Sequence, residues 1–171
     1  MRSLFWFGFS AALVVMPWSV MAQSTHLSAD QVTKDTVDVE HVMAAYHEAV
    51  VAHDGARLSS LFISQGSTWL NVLSDSALAH MRATKPDAQK IRVGSYQDFA
   101  KFVSQSKSSL DPEHSNTRML SDGTIASVYF DYVFMIDGKP ENRGSEMWQL
   151  VKGEHGWRIA VISYSSNPLG S

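Results

Sequence analysis

The stretch SVYFDYVFMIDG, residues 127–138, puts one carboxylate, Asp131, among Tyr129, Phe130, Tyr132 and Phe134 on what reads as a strand ending in an Asp-Gly turn. On a strand alternate residues share a face. Tyr129, Asp131, Val133 and Met135 form one face, and Val128, Phe130, Tyr132 and Phe134 the other. Both are largely apolar, so a charge at Asp131 needs something to meet it. Desolvation would raise its pKa and make it a general base or a ligand-gripping group. An arginine would instead make it structural, and Arg82, Arg118, Arg143 and Arg158 are available.

Other side chains with chemical potential are fewer. Trp69 and Asn71, two apart on a short strand, can present an aromatic wall and an amide to a ligand. Gln149 shares its face with the apolar Met147 and Val151, while Trp148 shares the opposite one with Glu146 and Leu150. Tyr164 is placed to reach the mouth of a pocket, and Trp157, Ile159 and Val161 read as a core stripe. His53 falls on the buried face of the first helix, beside Asp54, a helix cap. His41 and His47 are not on one helical face, His80, His114 and His155 fall in or near loops, and there is no metal-ligand spacing. No Gly-x-Ser-x-Gly turn, phosphate-binding glycine loop or dinucleotide fingerprint occurs. No metal and no cofactor are expected.

The chain has 171 residues, 44% of them hydrophobic, and a net charge of −3. That suits one domain with its own core and gives no electrostatic case for nucleic acid or an anionic membrane. Its beginning is different in kind. MRSLFWFGFSAALVVMPWSVMAQS has an early Arg2, an apolar run and small residues before a cut after Ala22, the pattern of a signal peptide. Residues 1–22 are therefore expected to be removed, leaving a periplasmic or secreted chain with no membrane segment. The chain has no cysteine, so neither disulfides nor a thiolate site support it.

The elements that must position these residues follow from periodicity. Residues 23–35 read as a flexible polar segment. Val39, Val42, Met43, Tyr46, Ala49, Val50 and His53 give one apolar helical face from Thr36 onward. Asp54 caps a second, shorter helix, and Thr68–Leu73 reads as a strand. Residues 74–94 are ambiguous, with Ser76–Met81 helix-like, and Ser95–Ser104 is a further short helix. Strands follow at Arg118–Leu120, Ile125–Ile136, Gly144–Lys152 and Trp157–Ser165, joined by Gly-containing turns. The expected class is α+β, with the domain spanning 36–166 and a tail at 167–171.

Two segments carry a resemblance. AAYHEAVVAHDGARLSSLF, then IASVYFDYVFMIDG and RGSEMWQLVKGEHGWRIAVISYS, resemble the nuclear-transport-factor-2-like superfamily, above all its exported SnoaL-like and lumazine-binding-like branch. Trp148, Gly156, Trp157 and Ile159 are the most specific matches. The resemblance implies a cone-like fold, with N-terminal helices packed on a strongly bent antiparallel sheet enclosing a pocket, and a homodimer formed through the sheet's outer face. It implies a binding site for a small apolar or aromatic molecule, with Trp69, Asn71, Tyr129, Asp131, Gln149 and Tyr164 as candidate contacts. The superfamily also hosts lyases and isomerases, for which Asp131 is the candidate base, and non-catalytic docking modules. Fold alone does not choose among them.

Overall fold

The structure is a computed structural model that describes residues 29–169. The signal-peptide reading of residues 1–22 lies outside the described residues. Helix α1 spans Ala29–Val51, α2 Gly55–Ser60, α3 Asp75–Thr84 and α4 Tyr96–Gln105. The strands are β1 Thr68–Leu73, β2 Ile91–Gly94, β3 Leu110–Ser121, β4 Ile125–Ile136, β5 Lys139–Gly153 and β6 Gly156–Pro168. They form one sheet in the order β2-β1-β6-β5-β4-β3. The sheet is mixed, because β1 runs parallel to β6 while every other pair is antiparallel.

The helices cover the inner face. Val39, Met43, Tyr46 and Val50 of α1 are buried at the expected helical spacing against Val128, Phe130, Trp148, Leu150 and Ile159 of the sheet. Trp148 and Phe130 are fully buried and meet edge to face at 5.4 Å. Asp54 Oδ1 accepts the Arg57 backbone N–H at 2.8 Å and so caps α2 as expected. His53, with φ of 58°, turns the chain between α1 and α2, and its Nδ1 lies 3.1 Å from the Val103 carbonyl. Gly55 lies against α4, where a Cβ would meet the Ala100 carbonyl oxygen at 2.4 Å. Gly55→Ala is therefore expected to destabilise the fold by about 1–3 kcal/mol through overpacking. Thermal melting of the variant checks this.

Three boundaries differ from the sequence expectation. Helix α1 begins at Ala29, not Thr36, and the segment expected to be loosely ordered supplies Asp35, which is solvent-excluded and bonded at 2.7 Å to Lys152 Nζ. The ambiguous 74–94 region resolves into α3, capped by Ser74, and the edge strand β2. Strand β3 begins at Leu110, eight residues before the expected Arg118, because it is an edge strand with a bulge between Ser115 and Arg118 that breaks its alternation. Asn116, in that bulge, has φ of 53°. A second bulge leaves Ala160 without a partner on β5, where Leu150 faces Ile159 and Gln149 faces Val161. Side-chain parity flips there. Trp157 and Ile159 point inward as read, but Val161 turns out of the core, and Ile162 and Tyr164 take the inner face.

Candidate active site

The same inner face closes over a cavity of about 160 Å³ lined by Tyr46, Trp69, Phe99, Tyr132, Tyr164 and Glu146, with His114, Pro112, Phe134 and Asn142 completing it. Each aromatic wall is held by a neighbour. Trp69 stacks obliquely on Phe99 at 5.2 Å and meets Tyr164 edge-on at 6.2 Å. Gly94 stands opposite Trp69 across the β1–β2 pair, where a Cβ would come 3.1 Å from its indole. Tyr132 donates its hydroxyl proton to the Ser165 carbonyl at 2.9 Å and so is spoken for. Asn71 Nδ2 donates to the Tyr164 hydroxyl oxygen at 2.8 Å, which leaves the Tyr164 proton available to a ligand.

Glu146 is the electrostatic centre. It is 8% exposed, its Oε1 accepts the Trp148 indole N–H at 2.8 Å, and it has no ion pair among the described residues. Burial raises its pKa from the ordinary 4.5 to about 7, against the smaller opposing pull of the Trp148 hydrogen bond. His114 lines the same cavity from β3, packed 4.4 Å from Phe130 and 6.0 Å from Trp148 between ring centroids. Burial pushes it down to about 4, helped by the nearby His47, while Asp111 pulls the other way. A carboxyl shifted up to about 7 and an imidazole shifted down to about 4 thus line one aromatic cavity.

His114 also lines a shallow surface groove with His47 and Asp111, whose Nε2 and Oδ1 are 2.8 Å apart. It therefore stands between the cavity and solvent. Among the described residues no group of three His, Cys, Asp or Glu side chains is arranged to hold a metal ion.

The candidate residues from the sequence divide cleanly. Trp69 and Tyr164 line the cavity. Asn71 lies behind Tyr164 and bonds to it, its own Oδ1 buried with no partner among the described residues. Tyr129, Asp131 and Gln149 are corrected to the sheet's outer face, because the inner face of β4 is Val128, Phe130 and Tyr132, and that of β5 is Glu146, Trp148 and Leu150. Tyr129 and Gln149 are exposed there.

Asp131 has neither the raised pKa nor the arginine pair that the sequence suggested. Its Oδ2 accepts from Asn116 Nδ2 at 2.9 Å and its Oδ1 from Ser145 Oγ at 3.0 Å. These bonds hold its pKa below the ordinary value, with Arg118 contributing only weakly. The residue that seemed to need a ligand joins three strands across the β3 bulge. Asp131→Asn is accordingly expected to leave small-molecule binding unchanged, measured by titration against the native protein; a tenfold loss would return Asp131 to the site.

Glu146 and His114 were missed by sequence reasoning. The signal for Glu146 is an acid in the stripe Glu146-Trp148-Leu150, which alternation alone does not mark as the inward face. His114 was hidden by the assignment of its segment to loop.

Comparison with known proteins bears on the fold. No family model matches the chain, and no curated protein does so either. Solved structures match throughout. One of unknown function from Shewanella baltica, described as nuclear-transport-factor-2-like, aligns with a TM-score of 0.58 at 18% identity, covering 80% of this chain and 97% of that one. The fold is that of the nuclear-transport-factor-2-like superfamily. A scytalone dehydratase candidate from Novosphingobium aromaticivorans aligns with a TM-score of 0.61 at 14% identity, covering 83% of this chain and 97% of that one. A nuclear-transport-factor-2-like protein from the same genus and species, described with a cystatin-like fold, gives 0.59 at 15% identity over 88% and 94%. The curved sheet, the helices on its inner face and the cavity between them are the parts of that fold that position Glu146.

Proposed function

We propose that this nuclear-transport-factor-2-like chain binds a small aromatic or partly apolar molecule and moves a proton on it, as a lyase or isomerase with Glu146 as general base. The observation that carries the reading is a buried carboxyl without a cation, set in an aromatic cavity. The bond it accepts from the Trp148 N–H could come from a neutral acceptor at lower cost, so a buried carboxyl at this position supports a role in the site. A cavity of about 150 Å³ holds a benzene-sized ring, and Trp69, Phe99 and Tyr164 supply flat faces for one. Glu146 would take a proton from carbon, while the Tyr164 hydroxyl, whose proton meets no acceptor among the described residues, would stabilise charge developing on a substrate oxygen. His114, neutral above about pH 4, would donate or accept without bringing a charge into the cavity. A dehydratase candidate among the structural neighbours agrees with elimination of water as the reaction class.

The experiment is native mass spectrometry of the protein purified gently from its source, followed by incubation of any captured molecule in deuterated water. A small aromatic adduct that gains deuterium with the native protein and not with Glu146→Gln supports the reading. An adduct retained without exchange would leave a carrier and remove the enzyme.

Export to the periplasm, through the signal-like residues 1–22, and membership of the lumazine-binding-like branch form part of the same proposal. So does homodimerisation through the outer face, supported by the exposed Leu120, Ile125, Tyr129 and Met147 on it. Tyr129 and Met147 stand opposite each other across β4 and β5. Met147→Glu is expected to shift sedimentation from dimer to monomer; a monomer before mutation would remove the dimer.

A further inference from the structure

A second cleft lies away from the cavity, between α3 and the chain around Arg143 and Asn167–Leu169, with a volume of about 590 Å³. Helix α3 is capped and regular yet buries none of its residues. Ala77, Leu78 and Met81 are only half-buried, so the helix packs lightly on the sheet, and the cleft lies along it. Ser76, Ala77, His80, Met81 and Thr84 turn one helical face into it. Lys85 follows at the helix end, and Arg143 closes the opposite wall. Among the described residues no carboxylate side chain lines this cleft, although the chain as a whole carries a net charge of −3. Neither Lys85 nor Arg143 has an ion pair among the described residues.

The wall bearing Arg143 is held rigidly. Asn142 Oδ1 accepts the backbone N–H of both Arg143, at 3.0 Å, and Asn167, at 2.8 Å. Asn167 Nδ2 returns a bond to the Arg143 carbonyl at 3.0 Å. The guanidinium therefore projects from a fixed backbone, which lowers the ordering cost of recognition. The rest of the lining mixes polar Ser76, His80 and Thr84 with apolar Ala77, Met81, Pro168 and Leu169. Two cations and aliphatic surface within one cleft are complementary to an amphiphile with one anionic end.

We propose that this cleft is a second binding site, taking the carboxylate of a short aliphatic acid. Arg143 would grip the carboxylate through its planar fork and Lys85 would add a point charge, while Met81 and Leu169 would cover the chain. The C-terminal end of α3, where Lys85 sits, carries partial negative charge and so favours a monoanion over a doubly charged phosphate. The site is independent of Glu146.

The test is titration of the full chain with octanoate at low salt, followed by amide shifts in nuclear magnetic resonance, with 1-octanol and inorganic phosphate as comparison probes. Saturable shifts at Ala77, Met81, Arg143 and Asn167 are expected. Octanol and phosphate should each bind at least tenfold more weakly than octanoate. The double variant Lys85→Gln, Arg143→Gln should lose at least tenfold in octanoate affinity; both side chains are exposed, so its melting curve should match the native one. Shifts centred on Trp69 and Glu146, equal binding of octanol or phosphate, or undiminished affinity in the double variant would each overturn the proposal.

Discussion

Glu146→Gln is expected to gain stability above pH 7 and to lose the proposed proton transfer. In the unfolded chain this carboxyl titrates near 4.5, and in the folded protein burial raises it to about 7. The folded state thus holds a proton that the unfolded state has released, so stability falls as pH rises from 4.5 to 7. Across that interval the loss approaches about 3 kcal/mol. Gln carries no charge to desolvate and keeps an oxygen for the Trp148 N–H, though its amide hydrogens need partners. The expected gain at pH 8 is therefore about 1–3 kcal/mol, read from denaturant or thermal unfolding. The same change should lower turnover of a captured substrate by about 10²–10⁴-fold, the usual worth of a positioned general base. A group kept for structure would show the reverse pattern, with stability lost on replacement.

His114 produces the opposite slope. Its folded pKa lies near 4 against an unfolded value of 6.5, so the unfolded chain takes up a proton first as pH falls. The stability it contributes is complete above 6.5 and is lost as pH falls from 6.5 to 4, by an amount approaching about 3 kcal/mol. Over that span Glu146 runs the other way, and in the native protein the two nearly cancel. Removing either group should expose the other. His114→Asn is expected to become more stable as pH drops from 7 to 4.5, and Glu146→Gln less stable as pH drops from 6.5 to 4. Carboxylates with lowered values, Asp35 beside Lys152 and Asp122 on its turn, add their loss only in the more acid range. Unfolding of the native protein and both variants across pH 4–8 checks the pair. Parallel curves for all three would show that neither group is perturbed.

How far the sequence disclosed this site follows from the parity of its strands. The helical face from Val39 to Val50 and the stripe Trp148-Leu150 repeat at fixed periods, and the resemblance carried by the last two strands pointed to the cone. The bulge at Ala160 changes which residues of β6 face inward, so the inward placement of Ile162 and Tyr164 after Ile159 cannot be obtained by counting twos. On β3 the edge position keeps its residues polar, so His114 looked like loop. Asp131 drew attention because both faces of its strand are apolar. Alternation tells that two residues share a face but not which face the helices cover. Here the covered face holds Phe130, and Asp131 spends its two oxygens on Asn116 and Ser145. Glu146 lies two residues from Trp148 in the sequence, but only the folded sheet shows that no cation among the described residues pairs with it.

Titration of the Glu146 carboxyl itself, followed by carbon-13 chemical shift in the folded native protein, tests the central claim most directly. The account predicts a midpoint near 7, moving when an aromatic ligand fills the cavity. A midpoint near 4.5, unmoved by any ligand, would show a solvated carboxylate and contradict the assignment of Glu146 as the proton-handling group.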